Sequence, residues 1–213
     1  YTVNYKKTHS QTLIPMLDEI VSMVELDLSE IDAIAISSGP GSFTGLRIGS
    51  ATAKGLGLAL DKPLISVPTI DSLAYNLFGT DRIICPLMDA RRDQVYTGLY
   101  EFVNDKLVVV SPQKAVGIDE IIDEINLMGR AVIFLGDGVP VHRERIAEDL
   151  KVEYSFAPLH MNRQRAGAIA ALGLEYFQEN RVETAKDHQP VYLRVSQAER
   201  ERAEREKSEQ KSH

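Results

Sequence analysis

The sequence predicts an α/β fold, and three features of its hydrophobic pattern support that class. Short, mainly apolar runs, at 33–36 and 64–67, are typical of short buried parallel strands. The segments around these runs carry apolar residues three and four positions apart, which is helical spacing. After about residue 80 the chain changes to segments rich in β-branched and aromatic residues separated by polar turns. We therefore expect strands alternating with helices first and an antiparallel meander later.

The first predicted lobe covers residues 1–79 and starts with strand-like alternation at residues 1–5. Pro15 lies inside the first predicted helix and should kink it or mark a local break. Because a strand pattern is present from Tyr1 onward, we expect the chain to begin inside a fold whose start is absent. The later elements of this lobe are a helix at 9–25, a strand at 33–36, a helix at 43–60, a strand at 64–67 and a helix at 69–78.

The second predicted lobe covers residues 80–196, and a charged tail follows at 197–213. The tail balances five Glu against five Lys or Arg and has no large apolar residue, so it predicts a solvated helix or a disordered segment. The alternative is a tail that becomes ordered on a partner. The elements of the second lobe are strands at 83–88, 94–102 and 106–110, a helix at 119–128, a strand at 131–135, a helix at 141–150, an extended segment at 152–157 and a helix at 165–180.

Composition and charge exclude several classes of protein. A chain of 213 residues can bury a large core without disulfides or structural metals, and its single cysteine, Cys85, cannot pair within the chain. A lone cysteine favours a reducing, cytoplasmic compartment. No apolar stretch approaches the ~20 residues of a membrane span. The net charge of −7 opposes strong stand-alone binding of nucleic acid and leaves only a local basic patch open.

The turn at residues 37–47 is the first candidate for a ligand site. A predicted strand ends there and a helix begins, and the free backbone N–H groups of a Gly-rich turn in that position can bind an anion. Gly39, Gly41 and Ser42 are the candidate nucleotide-binding residues. Their spacing does not match the dinucleotide fingerprint, and no Gly-Lys-Ser/Thr follows to make a P-loop. A tight turn that packs the helix on the strand is the alternative.

Small residues recur on the helix after this turn, at Gly45, Gly49, Ala53 and Gly57. Positions four apart share one side of a helix, so these residues form a bare stripe. Each helix glycine costs about 1 kcal/mol relative to alanine, and a close contact should offset that cost. The contact is either internal, with the chain's own sheet or first helix, or external, with a partner helix, and spacing alone does not separate the two.

Candidate catalytic and metal-binding residues are few. The histidines are scattered, and the position four residues after His9 is Leu13, so the first helix has no H-x-x-x-H pair. No G-x-S-x-G nucleophile elbow is present, and the strand-like surroundings of Cys85 favour an inert buried thiol. Asp89 and Asp93 flank two arginines at a turn, which is typical of a solvated ion-paired turn. We therefore expect no catalytic residue and no bound metal.

Several segments together closely resemble the TsaB family, also called YeaZ. The run G-P-G-S-F-T-G-L-R-I-G at residues 39–49 is the most specific of them. The resemblance extends from residue 1 to about residue 194. The segments that carry it are residues 9–15, 37–60, 67–74, 88–96 and 190–194.

The resemblance implies a fold and a function. The fold is the two-lobed, actin-like and Hsp70-like (ASKHA) fold, and the subunit is a non-catalytic scaffold. In the family it pairs with the related catalytic subunit TsaD and with the ATPase TsaE to transfer threonylcarbamoyl to adenosine 37 of tRNAs that read ANN codons. This chain would bind no cofactor strongly, ATP or ADP could bind within the complex, and tRNA would be contacted only through the complex. A homodimer is also open, and the location implied is cytoplasmic, without a membrane.

The resemblance also implies a contact face built from the two helices at 9–25 and 43–60, which in the family pack against TsaD or a second copy. TsaD holds its metal with a histidine where this chain has Leu13, so no metal site is implied here. The predicted interface residues are His9, Leu13, Met16, Leu17, Ile20, Gly45, Arg47, Ile48, Gly49, Thr52, Ala53, Leu56 and Gly57.

The chain departs from the family pattern at its start, where the family has an additional hairpin that carries a phosphate loop. Loss of a central strand should leave a sheet edge and an unfilled core. The alternative functions are an actin-like ATPase, which needs that loop, and a glycoprotease-type metallopeptidase, which needs metal ligands that this sequence lacks. Direct tRNA binding is a third alternative, with local help from Arg91, Arg92, Arg163 and Arg165.

Overall fold

The computed structural model describes residues 9–193, and its helices and strands follow the predicted order. The helices are α1 (His9–Met23), α2 (Phe43–Leu60), α3 (Thr69–Tyr75), α4 (Ile118–Met128), α5 (Val139–Asp149) and α6 (Ala166–Gln178). The strands are β1 (Ile34–Gly39), β2 (Leu64–Pro68), β3 (Ile83–Asp89), β4 (Gln94–Val103), β5 (Lys106–Gly117), β6 (Val132–Leu135) and β7 (Tyr154–Phe156). The mixed α/β class is confirmed. The predicted tail at 197–213 and the strand-like residues 1–5 lie outside the described residues.

Strands β1 and β2 form a parallel two-stranded sheet in which Ile34 is opposite Leu64. Alternate side chains of the two strands point to opposite faces. Leu64 packs with Ala53 of α2 on one face, and Ile65 packs with Leu172 of α6 on the other. Because both faces are covered, the apolar residues of the two strands are not confined to alternate positions, as is usual for parallel strands.

The second sheet has five strands in the order β5-β4-β3-β6-β7. The meander β3-β4-β5 is antiparallel, as predicted, and β6 and β7 run parallel to β3. Helices α4 and α5 pack on one face, where Ile121 and Ile146 join the largest core cluster. Helix α3 packs on the other face, where Ile70 and Leu73 contact the buried Tyr100 of β4.

Helix α6 lies against the first sheet although it follows the strands of the second sheet in sequence. It contacts β1, β2 and α3. Gly173 allows this approach, because a Cβ atom at that position would lie 2.8 Å from Ala35 Cβ of β1. The chain therefore returns from the second sheet to the first, and the predicted division into lobes at residues 79 and 80 stays a prediction.

Several elements differ in extent from their predictions; α3, for example, ends at Tyr75 and was predicted to reach residue 78. Helix α1 continues through Pro15 without interruption and ends at Met23. Strand β5 extends to Gly117, seven residues beyond the prediction, because it follows β4 along its whole length across two register shifts.

Candidate functional site

Helix α2 is defined at both ends by specific backbone contacts. The Ser42 hydroxyl accepts a hydrogen bond from the Gly45 N–H at 3.3 Å and so caps the amino-terminal end. Asp61 ends the helix in the left-handed conformation with φ of 52°, and its N–H donates to the Gly57 carbonyl. The helix between these ends carries the stripe of small residues.

The stripe faces the chain's own first sheet at its carboxyl-terminal half. Ala53 is only 5% exposed. A Cβ atom on Gly57 would lie 3.0 Å from Leu64 Cδ2 and 3.1 Å from Ala185 Cβ, which is closer than ordinary packing allows. A Cβ atom on Gly49 would meet a β1 side chain at 3.7 Å, an ordinary contact distance. Close approach of α2 to the sheet therefore offsets the helix cost of Gly57.

Ala53 and Gly57 were predicted to lie on the contact face, and the structure corrects this placement. Both are buried between α2, β2 and the segment around Ala185. They are therefore unavailable to a partner unless the first sheet opens. Sequence could not separate the two outcomes, because a small-residue stripe permits close packing against any neighbour, internal or external.

The predicted residues of α1 lie together on a helix that is open to solvent. Helix α1 packs against α2, and none of its fifteen residues is buried. Leu13, Met16, Leu17 and Ile20 are half-buried, and His9 is exposed.

Apolar side chains are also exposed beyond the predicted set. Ile14 is 51% exposed, Met23 is 66% exposed, and Val24 directly after the helix is 62% exposed. Helix α1 thus leaves much of its apolar surface uncovered by the described residues.

The remaining predicted residues of α2 are half-buried, except Arg47, which is exposed. The Arg47 guanidinium is exposed and lies 4.1 Å from the centre of the Phe43 ring, which holds it at the first turn. Because α1 packs against α2, the predicted interface residues lie on two neighbouring helices, and their role in binding a partner stays a prediction. The half-buried residues of this set on α2 are Gly45, Ile48, Gly49, Thr52 and Leu56.

The Gly-rich turn, which was the candidate nucleotide site, is occupied by the chain's own carboxyl-terminal segment. Gly39 has φ of +115°, and a Cβ atom there would lie 2.3 Å from the Val191 carbonyl oxygen. The Val191 N–H donates to the Ser38 carbonyl at 2.7 Å, and Tyr192 packs on Phe43 with 4.6 Å between ring centres. Gly39 is therefore required for backbone packing. Nucleotide binding by Gly39, Gly41 and Ser42 stays a prediction.

The same carboxyl-terminal segment contains a polar cluster that sequence analysis missed. His188 is 1% exposed, and its Nδ1 lies 2.8 Å from Glu183 Oε1 and 3.0 Å from Ser66 Oγ. Its Nε2 has no hydrogen-bond partner among residues 9–193. Both contacts use one ring nitrogen, so this is not the relay of a serine hydrolase, in which the two nitrogens have different partners.

Lys54 attaches the carboxyl-terminal segment to α2. Its Nζ donates to the carbonyls of Lys186 and His188 at 3.2 and 2.9 Å. Glu183 also exchanges two backbone hydrogen bonds of 2.9 Å with Leu64. No sequence signal could have identified these contacts, because they join residues more than a hundred positions apart.

A buried carboxyl on α3 is hydrogen-bonded to a strand of the second sheet. Tyr100 of β4 donates its hydroxyl to Asp71 Oδ1 of α3 at 2.7 Å. Burial raises the pKa of the Asp71 carboxyl, while the Tyr100 hydrogen bond and the Arg181 charge oppose the rise. Cys85 is fully buried, and burial raises the pKa of its thiol to about 12, so it is no nucleophile at neutral pH.

The described part of the chain shows neither a metal-binding cluster nor a helix that could span a membrane. Residues 9–193 contain no group of three His, Cys, Asp or Glu side chains that could hold a metal ion. No helix in that range is both long and apolar enough to cross a lipid bilayer.

Comparisons with known proteins connect this geometry to a family. The family model described as "TsaD: tRNA N6-adenosine threonylcarbamoyltransferase" matches residues 4–202. A Bacillus subtilis protein named tRNA threonylcarbamoyladenosine biosynthesis protein TsaB is 33% identical over 201 residues, which cover 93% of this chain and 85% of the relative. The Escherichia coli protein of that name is 37% identical over 98 residues, which cover 45% of this chain and 42% of the relative.

Two solved structures are also similar to this chain. YeaZ from Pseudomonas aeruginosa has a TM-score of 0.73 and 25% identity, and the match covers 88% of this chain and 86% of that one. A second structure from that organism, titled as an uncharacterized protein with similarity to peptidase YeaZ, has the same TM-score and identity and is covered to 85%.

Proposed function

Since the chain belongs to the TsaB family of tRNA threonylcarbamoyladenosine biosynthesis proteins, we propose that it is the non-catalytic scaffold subunit that binds and activates TsaD. A role in this tRNA modification follows from family membership. The finer proposal is that the α1–α2 pair binds TsaD, that TsaE joins the complex, and that the complex transfers threonylcarbamoyl to adenosine 37 of tRNAs reading ANN codons.

The exposed apolar surface of α1 is the observation that carries the proposal. Because none of its fifteen residues is buried, α1 contributes little to the core of the chain. Ile14 and Met23 expose more than half of their surface. Exposed apolar surface that the rest of the fold leaves uncovered is typical of association sites. Arg47, on the neighbouring helix α2, adds an exposed cation held over the Phe43 ring, and arginine is enriched in protein interfaces.

Two observations support a non-catalytic role. Leu13 occupies the position on α1 where the catalytic relatives have a metal-binding histidine. The buried cluster of His188, Glu183 and Ser66 has the residue types of a hydrolase site without its geometry. We expect the chain alone to form no threonylcarbamoyladenosine and its omission from the complex to abolish the modification.

Association and activity test the proposal together. The chain and TsaD are mixed and sized by light scattering with and without ATP, and the modified nucleoside is quantified by mass spectrometry after adding TsaE and the substrates. Ile14→Glu places a charge in the contact, so affinity for TsaD should fall at least tenfold, since 1.4 kcal/mol is a factor of ten. Arg47→Glu is a second variant, on the neighbouring helix α2.

Leu127→Glu is the matched control, because Leu127 is 89% exposed on α4, away from the first sheet. It should bind TsaD as the wild type does. All three variants should keep their circular dichroism spectra, because none of the three positions is buried. If wild type does not bind TsaD, the scaffold proposal is wrong. If Ile14→Glu and Arg47→Glu bind normally, the association face lies elsewhere.

A further inference from the structure

Strand β5 lies at one edge of the second sheet. Its only strand partner among residues 9–193 is β4, so the other side of β5 has no strand paired with it in that range. β5 is twelve residues long, whereas β7 at the opposite edge of the sheet has three. Long unpaired edges are templates for the addition of another strand. β5 is therefore the edge at which this sheet can be extended.

The first part of β5 is apolar and exposed. Val108, Val109 and Val110 each expose between 37% and 48% of their surface. β-Branched residues favour extended strands, so these three residues combine a high strand propensity with open surface. Charges and prolines protect natural edge strands from pairing. Here Lys106 and Pro112 lie on either side of the valines and leave the residues between them unprotected.

Apolar surface continues from β5 onto the face of the sheet that carries α3. Phe102 of β4 is opposite Leu107 of β5, and both pack beside the core cluster under α3. Phe78, which follows α3, is 54% exposed, and its ring centre lies 5.1 Å from that of Phe102. Exposed apolar surface that continues over several elements is typical of association sites.

A two-residue turn precedes β5. Asn104 and Asp105 both have positive φ values, of 50° and 62°. Such values are required at both central residues of a type I′ turn, which is a common two-residue connection in hairpins. Val103 and Lys106 are the outer residues of this turn and the last pair of the ladder. Because the hydrogen bond that closes a β-turn joins its outer residues, Val103 and Lys106 form a hydrogen-bonded pair.

The direction of the other backbone groups of β5 follows from that pair. Along an antiparallel strand, the N–H and C=O groups of successive residues point alternately to one side and to the other. Lys106 and Val108 therefore direct these groups at β4, where Val108 is opposite Glu101. Leu107 and Val109 direct theirs at the open edge. These two residues supply two N–H donors and two carbonyl acceptors to an added strand.

We propose that β5 pairs antiparallel with β5 of a second copy of this chain, with the two Val108 residues facing each other across a two-fold axis. In this register Leu107 lies opposite Val109 of the partner subunit, so the outward backbone groups of both copies are used. Lys106 lies opposite Val110 of the partner subunit, so no two like charges meet directly. Every outward donor in the paired segment thus finds an acceptor.

Symmetry and charge favour a second copy as the occupant of this edge. A two-fold axis brings the same surface of both copies together, and most soluble homo-oligomers use such an axis. Lys106 is the only charged residue from position 106 to position 111, so the strand has no charge pattern with which to select an unlike strand. β7 of a second copy would supply only three ladder residues. Pairing of β5 with itself supplies more and closes the dimer.

Self-association of the full chain is measured by sedimentation velocity over a series of protein concentrations, and the wild type should form dimers. Val109→Lys places an ammonium group at the contact and should raise the dissociation constant about tenfold or more. Val109→Pro removes an outward N–H that β4 does not use and should act in the same direction. Val141→Lys is the matched control, because Val141 is 62% exposed on α5. It should stay within about twofold of the wild type.

Cysteine cross-linking tests the register. The one natural cysteine, Cys85, is fully buried, so an introduced thiol on β5 is the accessible one. Opposite residues that do not hydrogen-bond to each other have Cα atoms about 4.5 Å apart, within the reach of a disulfide. Val108→Cys should therefore form a covalent dimer on mild oxidation. Val109→Cys is the matched control, because its two copies are offset along the strands beyond the limit of about 7 Å.

A wild type that is monomeric at every concentration would overturn the proposal, and so would a dimer that both Val109 variants leave intact. Covalent dimers of Val109→Cys without those of Val108→Cys would contradict the register. A dimer that Ile14→Glu abolishes and Val109→Lys retains would place the second copy on α1 and overturn the proposal. Because α1 and α2 lie outside the second sheet, Val109→Lys should still bind TsaD, and the two proposals therefore fail separately.

Discussion

The two sheets of the molecule differ in how completely the chain covers them. Five consecutive residues of β3, Ile83–Leu87, are buried, and four residues of α4 are buried against that sheet. In the first region, β1 is mostly half-buried and α1 has no buried residue. The second region therefore carries its own core, whereas the first leaves apolar surface that association can cover. Substitutions in the two regions should therefore differ in their effects on stability and reactivity.

Ala53→Glu should have the largest effect on stability. Its carboxylate would enter the cluster of Ala53, Leu64 and Ala185, and a buried charge without a partner costs several kcal/mol, here about 3 to 5. Ala51→Glu, on the exposed side of the same helix, should change the free energy of unfolding by no more than about 0.5 kcal/mol. Urea unfolding compares the two. Equal stability of both would show that α2 does not pack on the first sheet as described.

Asp71→Asn should change how stability depends on pH. Because the folded state raises the pKa of Asp71, it binds the proton more tightly than the unfolded state. The stabilisation is fully present below the unfolded pKa near 3.9 and is lost as pH rises through the raised folded pKa. The neutral amide of the variant still accepts the hydrogen bond of Tyr100 and does not titrate. The stability of the variant should therefore not fall as pH rises through this range.

The free energies of unfolding of wild type and Asp71→Asn are measured with urea from pH 4 to 8. The difference between them isolates the contribution of this carboxyl from those of the others. Each unit by which the pKa is raised contributes about 1.4 kcal/mol to the difference. Tyr100→Phe sharpens the test, because it removes the donor and leaves the carboxylate buried, so its stability should fall more at pH 8 than at pH 4. A difference that does not vary with pH would contradict the burial of this group between the two regions.

Cys85 should show the smallest effect, a difference in thiol reactivity without a change in stability. Its pKa of about 12 and its complete burial in β3 keep it protonated and inaccessible. A thiol-reactive dye should modify it only after unfolding. Ala51→Cys provides an exposed thiol in the first region and should react at once in the folded protein. Rapid modification of the wild type would mean that the second region opens readily.

Much of the fold could be predicted from local patterns. The bounds of α2 and the antiparallel pairing of β3, β4 and β5 agree with the sequence prediction. Periodicity predicts such elements because a helix or strand with one buried face must repeat its apolar residues at 3.6 or 2 positions. The meander was predictable because short polar turns leave antiparallel pairing as the simplest connection.

The candidate site was predictable only in part. Leu13, Met16 and Leu17 could be assigned to the outer helix from their spacing and from the family resemblance. The burial of Ala53 and Gly57 could not, because it depends on the approach of Leu64 and Ala185 from other parts of the chain. A small residue indicates that something packs closely and does not indicate what packs there.

The sequence by itself determined the α/β class, the order of the elements and, through the run at residues 39–49, the family. These properties depend on residues that are neighbours in the chain. The tertiary structure alone decided that α6 returns to the first sheet and that Val191 fills the space beside Gly39. Each of these contacts joins distant segments whose meeting is selected by the packing of the whole core, and no local pattern encodes that packing.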